Sequence, residues 1–360
     1  MNRAFWKAKK VLVTGYSGFK GSWLALWLQS LGADLMGYAL CPPTEPNLFE
    51  IADVSRGMTG ITGDIRDLEN LKTVIARHRP EIVIHMAAQA LVQYSYHNPV
   101  ETYSTNIMGT VNVLEAVRHS ESVRVVVCIT SDKCYENNEW FWGYRENERM
   151  GGRDPYSSSK GCAELIISAY RNSYFPAENH QRHSVALAST RAGNVIGGGD
   201  WAKYRLIPDI MKSLMEKRPV IIRNPKSIRP WQHVLEPLSG YLLLAEQLWE
   251  RGPELAQAWN FGPNDEEVRN VAWIADYLTK QWEDGGRWEQ DSASHPHEDT
   301  YLKLDCSKAK SLLGWSPRLH LSTALDWIVA WYRGWQQNED MHRLSLAQID
   351  RYERIKGAQQ

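Results

Sequence analysis

Short runs that are almost wholly apolar alternate along the chain with longer stretches whose apolar residues recur every three or four positions. Val11–Val13, Ala33–Leu40, Glu81–His85 and Val123–Ile129 are of the first kind. A strand with no polar face is one covered on both sides, so these runs predict the strands of a parallel sheet. Helical stretches fall between them. Trp23, Leu24, Leu26, Trp27, Leu28 and Leu31 give one helix a broad apolar face, with Gly32 as its C-terminal cap. Leu68–His78 gives a second, and Asn98-Pro99 opens a third that runs to about Ser120. Asp154-Pro155 opens a fourth, with Ala163, Leu165, Ile166, Ile167, Ala169 and Tyr170 in apolar rhythm. Strands alternating with helices predict an α/β, doubly wound parallel sheet whose ligands lie at the C-terminal ends of the strands.

From about Ala192 the rhythm loosens. The chain thus divides into a nucleotide-binding domain over residues 1–190, a smaller substrate lobe over 191–335 with some chain returning to the first domain, and a tail over 336–360. Leu304–Leu313 and Leu321–Tyr332 read as closing helices, and the charged tail after Gln336 as a segment that frays or packs on a neighbour.

Composition narrows the partners. Of the 360 residues 43% are hydrophobic and 23% charged, with a formal net charge of −1, so no global field attracts nucleic acid or a membrane surface. No stretch reaches the roughly 18 apolar residues of a membrane span. Met1–Lys10 lacks the apolar core of a signal peptide, and a cytoplasmic location is expected. Cys41, Cys128, Cys134, Cys162 and Cys306 are odd in number and scattered, which fits a reducing compartment and offers no C-x-x-C metal pair. His295 and His297, with only Pro296 between them, make a poor metal site without a third ligand, so no metal is expected.

The candidate chemistry sits where the predicted strands end. Gly15, Gly18 and Gly21 follow the first strand at G-x-x-G-x-x-G spacing and open the first helix. The first allows a tight turn, the second a close approach to a pyrophosphate, and the third close packing of helix on strand. The helix N-terminus then faces the phosphate with free N–H groups. The second strand ends on Tyr38, Ala39 and Leu40, without the carboxylate that bonds a ribose 2′-hydroxyl and without a basic residue for a 2′-phosphate, so NAD is only modestly favoured over NADP. Asp64 is a candidate for the adenine amine; Asp67 serves equally well as a helix N-cap. Thr130, Ser131, Asp132 and Lys133 gather a hydroxyl, a carboxylate and an amine after Ile129. Tyr156 and Lys160 stand at i and i+4 on one helical face, where an ammonium, like an oxidised nicotinamide, favours the phenolate and makes a tyrosine base. His85 and His233 read as hydrogen-bonded core histidines, and Arg191, Arg205 and Arg223 as structural ion pairs or weaker ligand candidates.

Together, the glycine turn, His85-Met86-Ala87-Ala88-Gln89, Ser131 and the Tyr156/Lys160 pair resemble the extended short-chain dehydrogenase/reductase family. Gly18–Trp23, Thr130–Asn137, Trp142–Glu148, Arg191–Trp201 and Ile222–Glu236 resemble its sugar-nucleotide 4,6-dehydratases, to about Gly334. The resemblance implies a Rossmann-type domain holding NAD through Gly15, Ser17, Gly18, Phe19, Lys20, Gly21, Asp64, Ile65, Ala87, Ala88, Gln89, Asn106, Tyr156 and Lys160. It implies a CDP-glucose substrate held by Gln89, Asn194, Arg205 and Arg229, the last as a pyrophosphate clamp. The implied reaction is a redox-neutral loss of water that gives CDP-4-keto-6-deoxy-glucose, in deoxysugar biosynthesis for surface polysaccharide such as lipopolysaccharide.

In the related dTDP-glucose enzymes an Asp-Glu pair supplies acid and base. Here the pair is Asp132-Lys133. Two readings of Lys133 stand: a neutral amine that takes the C5 proton, or a cation paired with Asp132 or a phosphate. Another NAD-dependent sugar-nucleotide epimerase or dehydrogenase, or a non-catalytic NAD-sensing module, are the alternatives. The resemblance also implies a homodimer or higher homo-oligomer, built from the helices around Pro99–Ser120 and Tyr156–Tyr174.

Overall fold

The computed structural model describes residues 1–282, 285–291 and 301–355. His295 and His297 lie outside the described residues. Seven parallel strands form the central sheet: β1 (Lys10–Thr14), β2 (Asp34–Ala39), β3 (Thr59–Thr62), β4 (Ile82–His85), β5 (Val125–Ile129), β6 (Ala186–Ala192) and β7 (Ala258–Phe261). Their order is β7-β6-β5-β4-β1-β2-β3, so the winding reverses between β1 and β4. Every residue of β4, β5 and β6 is buried, as both-faced burial of their apolar runs requires. β7 arrives from late in the sequence, registers Ala258 opposite Ser189 and closes that edge.

Helix α1 (Phe19–Ser30) buries eight consecutive residues, Gly21 to Leu28, and so is covered nearly all round. Gly32, just past its end, takes the left-handed φ of +82° that a C-terminal turn needs. Helix α2 (Leu68–His78) starts on Asp67, whose carboxylate caps the Asn70 N–H at 3.0 Å. The third predicted helix is real but not uniform: Pro99–Tyr103 runs through a π-helical turn, Ser104–Met108, into Gly109–Arg118, together α3. A short helix over Val92–His97 precedes it where the sequence analysis has none. Helix α4 (Pro155–Ser173) opens on Asp154 with Pro at its first position.

Beyond β6 the chain contains α5 (Leu206–Met215), α6 (Leu235–Arg251), which packs back on β5, β6 and β7 of the central sheet, α7 (Val271–Trp282) and three two-stranded ribbons. One ribbon pairs Ile228–Arg229 with Arg269–Asn270 and so fixes Arg229. Leu304 makes only an isolated bridge to Tyr144, so the predicted Leu304–Leu313 helix shrinks to a turn ending in the π segment Ala309–Leu313.

Over its described residues, to Ile355, the tail is a packed helix. After α8 (Leu321–Gln336), Asp340 caps α9 (Met341–Arg354), which packs on α1 and α8 and buries Met341, Ile349 and Tyr352. The Tyr352 hydroxyl donates to Glu236 at 2.7 Å. Glu236 also accepts the N–H groups of Arg318 and Leu319 at 2.8 and 2.6 Å, and burial pushes its carboxyl up to about 7. The high charge of this segment misleads because the charges occupy one face of an amphipathic helix. No helix among the described residues is long and apolar enough to cross a membrane.

Candidate active site

The strand ends on either side of the β1/β4 reversal open into a cavity of about 1340 Å³. Its lining runs from the Gly15–Gly21 turn past Ala87–Gln89, Ser131–Lys133, Tyr156 and Lys160 to Asn194, Arg205 and Arg229.

At one end is the glycine turn. Gly15 has φ +76°, and a Cβ on it would lie 2.7 Å from the backbone of Ala87. A Cβ on Gly21 would lie 2.1 Å from the Gly15 carbonyl oxygen. Gly18, the N-cap of α1, differs: a Cβ there would meet only the Gly15 oxygen, at 3.5 Å. The protein does not fill the space over Gly18, and free N–H groups of a twelve-residue helix face it, an arrangement that fits a dinucleotide pyrophosphate. Ser17 bonds the Leu40 carbonyl at 2.8 Å and pins the turn to the end of β2. Phe19 and Ile65 supply apolar wall, with Ile65 buried against Gly109.

Several predicted ligands also have partners within the protein. Asp64, expected to be free for an adenine amine, is forked onto Arg66 at 2.9 and 2.5 Å, which holds its carboxyl below the usual range. Asn106 accepts the Gln89 N–H at 2.8 Å and donates to the Gln89 carbonyl at 3.0 Å and to Ser159 at 2.8 Å. It therefore shapes the Ala87–Gln89 loop from behind. The Gln89 side-chain amide donates to the Leu91 carbonyl and the Thr102 hydroxyl at 3.0 and 2.9 Å. His85 lies between Thr14 at 2.7 Å and Thr110 at 3.1 Å, and burial drives it down to about 3, so it is a neutral core residue.

The candidate chemistry is concentrated beyond β5. Ser131 is buried and donates to Asp132 at 3.0 Å. The other Asp132 oxygen, Oδ2, is buried with no hydrogen-bond partner. Burial raises the Asp132 carboxyl, against the pull of Lys133, Ser131 and Arg229, and so favours its protonated form. Lys133 is half-buried and lines the cavity. Tyr156 differs from expectation: burial pushes its phenol up to about 12, the Ser131 hydrogen bond and the Arg205 charge pull it back, and Asp132 raises it further. The Lys160 ammonium instead reaches the Ile129 carbonyl at 3.4 Å, and burial lowers it to about 8.

Glu164 completes this face of α4, at i+8 from Tyr156 and i+4 from Lys160. It takes Arg191 at 2.8 Å, Thr130 at 2.5 Å and Ser189 at 2.7 Å, tying α4 to β5 and β6 behind the site. Arg191 thus belongs to a buried ion pair. Glu164 is not among the residues predicted from sequence, although a carboxylate on an apolar helix face beneath a Tyr/Lys pair is a readable signal.

Substrate-side candidates converge on the same cavity. Asn194 gives its carbonyl to the Gln232 N–H at 3.0 Å, and Arg229 has one amine on the Ile228 carbonyl at 2.9 Å. Arg205 is both an ion pair, with Asp200 at 2.9 Å, and a wall of the cavity. Among the described residues no group of three or more His, Cys, Asp or Glu could hold a metal ion.

Comparison with known proteins accords with this geometry. The chain is 57% identical over 352 residues to CDP-glucose 4,6-dehydratase of Salmonella typhimurium, covering 98% of each chain. The structure of dTDP-glucose 4,6-dehydratase from Bacillus anthracis in complex with NAD superposes with a TM-score of 0.75 at 22% identity, over 92% of this chain and 99% of that one. That of UDP-glucose 4-epimerase with UDP-glucose from Thermotoga maritima gives 0.76 at 21%, over 91% and 99%. At such identities these two show the shared fold. A match over residues 12–327 to the family described as GDP-mannose 4,6 dehydratase spans both lobes of the cavity, and the chain therefore belongs to that family within the extended short-chain dehydrogenases/reductases.

Proposed function

We propose that this chain acts as a CDP-glucose 4,6-dehydratase, a hydro-lyase that forms CDP-4-keto-6-deoxy-glucose and water on one bound NAD. The observation that carries the reading is the buried Asp132, a carboxyl biased toward its protonated form, beside Ser131 and Tyr156. An epimerase or a net dehydrogenase has no hydroxyl to expel and needs no such acid. The full-length likeness to the Salmonella typhimurium protein supports CDP-glucose as the substrate.

A bound NAD would supply reversible hydride chemistry at the sugar. The Gly18 turn and the N-terminus of α1 would hold its pyrophosphate. Tyr156 takes the proton of the sugar 4-hydroxyl while Ser131 bonds the same oxygen. Burial holds the phenol up at about 12, with Ser131 and Arg205 pulling it back, and the positive charge of a bound oxidised ring would add to that pull. The 4-ketone acidifies C5–H, Lys133 on the cavity wall is the candidate to receive that proton, and Asp132 protonates the departing 6-hydroxyl. Arg229 clamps the sugar-nucleotide pyrophosphate, with Arg205 and Asn194 alongside.

A homodimer is proposed on α3 and α4, where Val100, Met108 and Leu165 are 80%, 51% and 60% exposed. The test of function is mass spectrometry of CDP-glucose incubated with the protein with and without NAD. Loss of one water without net NADH is expected, and an unchanged mass refutes the assignment; dTDP-, UDP- and GDP-glucose then separate a wrong base from a wrong reaction. Light scattering tests the dimer.

A further inference from the structure

Beyond Arg205 the cavity wall carries an acid that the reaction does not use. Asp209 stands one turn past Arg205 on the same face of α5, lines the cavity, and gives its N–H to the Arg205 carbonyl at 3.0 Å. Arg205 keeps Asp200, whereas among the described residues no ion pair holds Asp209. The Arg223 charge and the Tyr204 N–H pull on its carboxyl, Lys212 adds to them, and Asp200 opposes them. Partial burial pushes the group up to about 6, so at neutral pH it is a carboxylate and only accepts. The same wall keeps apolar surface open: Tyr204 and Ile221 line the cavity and are 61% and 55% exposed. Ile221 belongs to the short strand Val220–Ile222, which packs on α5 and leads into Arg223, also on the wall.

A carboxylate repels a phosphate, so Asp209 must face another part of the substrate. A sugar at Tyr156 with its pyrophosphate on Arg229 and Arg205 leaves its base to this wall, with Tyr204 and Ile221 for the ring faces and Asp209 at the edge. Along that edge cytosine offers two acceptors, O2 and N3, and one donor, the N4 amine; uracil and thymine put an acceptor, O4, where the amine stands. We propose that Asp209 reads the base: its carboxylate accepts from the cytosine N4 amine and repels O4 of uracil and thymine, and so sets the preference for CDP-glucose over UDP- and dTDP-glucose. Arg223, whose guanidinium only donates, suits the neighbouring N3 and O2. The inference rests on the sugar-nucleotide reading above and adds to it the group that selects the base.

The test is kcat/KM for loss of water from CDP-glucose and from UDP-glucose at neutral pH, with calorimetric binding of the free nucleoside diphosphates to the full chain. Asp209→Ala should lower kcat/KM for CDP-glucose about 10- to 100-fold, with the loss in KM rather than kcat, and should not lower that for UDP-glucose. Asp209→Asn, whose amide both accepts and donates, should raise kcat/KM for UDP-glucose about tenfold. A CDP-to-UDP ratio that Asp209→Ala leaves as in wild type overturns the inference, whether both values fall or neither does. Wild-type protein alone decides the matter should the variants misfold. The 5′-diphosphate of pyrimidin-2-one riboside, which is cytidine without its amine, should bind about tenfold more weakly than CDP, and equal affinity overturns the inference. If wild type binds CDP with that discrimination but releases no water from CDP-glucose, the reaction reading falls and the base reading stands; if it prefers UDP, or binds neither diphosphate, the inference falls.

Discussion

Replacing Glu164 by alanine should cost more stability than any surface change, and the size of the loss follows from its surroundings. The Arg191 and Glu164 side chains are 5% and 4% exposed, so water cannot take the place of a missing partner. Breaking a buried pair from one side costs about 3–5 kcal/mol, because the remaining charge stays buried. Here Arg191 keeps the Tyr135 hydroxyl at 2.7 Å and the Glu146 carbonyl at 2.9 Å, and Thr130 keeps the Thr190 carbonyl at 3.1 Å. Ser189 and one guanidinium amine lose their acceptor outright. The expected loss is therefore mid-range, about 4 kcal/mol, or about 5 °C in Tm for a chain of this length.

Glu164→Gln keeps an acceptor and the volume but not the charge, and about half that loss is expected. Urea and thermal unfolding followed by tryptophan fluorescence measure both. Burial raises the Glu164 carboxyl, but Arg191 and the hydrogen bonds from Arg191, Thr130 and Ser189 outweigh it and hold the group below its ordinary 4.5. The folded value being the lower one, the advantage of wild type over Glu164→Gln is present above 4.5 and disappears as the pH falls through the folded value. A Glu164→Ala protein melting within about 1 °C of wild type at neutral pH would refute the reasoning.

Tyr156→Phe should lower the rate of water loss from CDP-glucose by about 10²–10⁴ with unfolding unchanged, measured by the same mass spectrometry. Asp132→Asn should also stop elimination, and because the raised Asp132 must carry a proton to act, wild-type kcat should fall as pH rises through that group and the Asn variant should lack this limb. Gly15→Ala, forcing a left-handed φ of +76° on alanine and placing a Cβ 2.7 Å from Ala87, should cost about 1–3 kcal/mol and abolish NAD binding by fluorescence titration. Tyr352→Ala removes a fully buried ring from the α9 contact and should cost about 3–5 kcal/mol, with α9 becoming the first segment open to limited proteolysis.

The order in which these elements can be read follows from how local their causes are. The apolar runs at Val11, Ile82 and Val125 could only be two-sided strands, and a glycine triplet between strand and helix leaves few backbone options, so sheet, turn and the i, i+4 pair of Tyr156 and Lys160 are fixed by neighbours within a few residues. The grouping of Asp132 and Lys133 with Ser131 was legible for the same reason, since all follow one strand end, whereas the loss of water was implied by the family resemblance. What needed the tertiary structure was every property set by distant chain. The Tyr156 phenol is raised, not lowered, because burial outweighs the Ser131 hydrogen bond and the Arg205 charge, and the Lys160 ammonium lies on the Ile129 carbonyl instead. Gln89 is held by Thr102 and Asn106, 13 and 17 residues along the chain, through contacts that no spacing encodes. Glu164 matters only because β6 brings Arg191 and Ser189 to it, and the charged tail becomes a packed helix only because α1 and α8 offer it an apolar seat. Backbone turns and periodicities cost or gain free energy locally and are written in the sequence. Desolvation, charge pairing and the seating of one helix on another depend on what the folded chain brings alongside, and those are what decide which side chains at this site remain free to act.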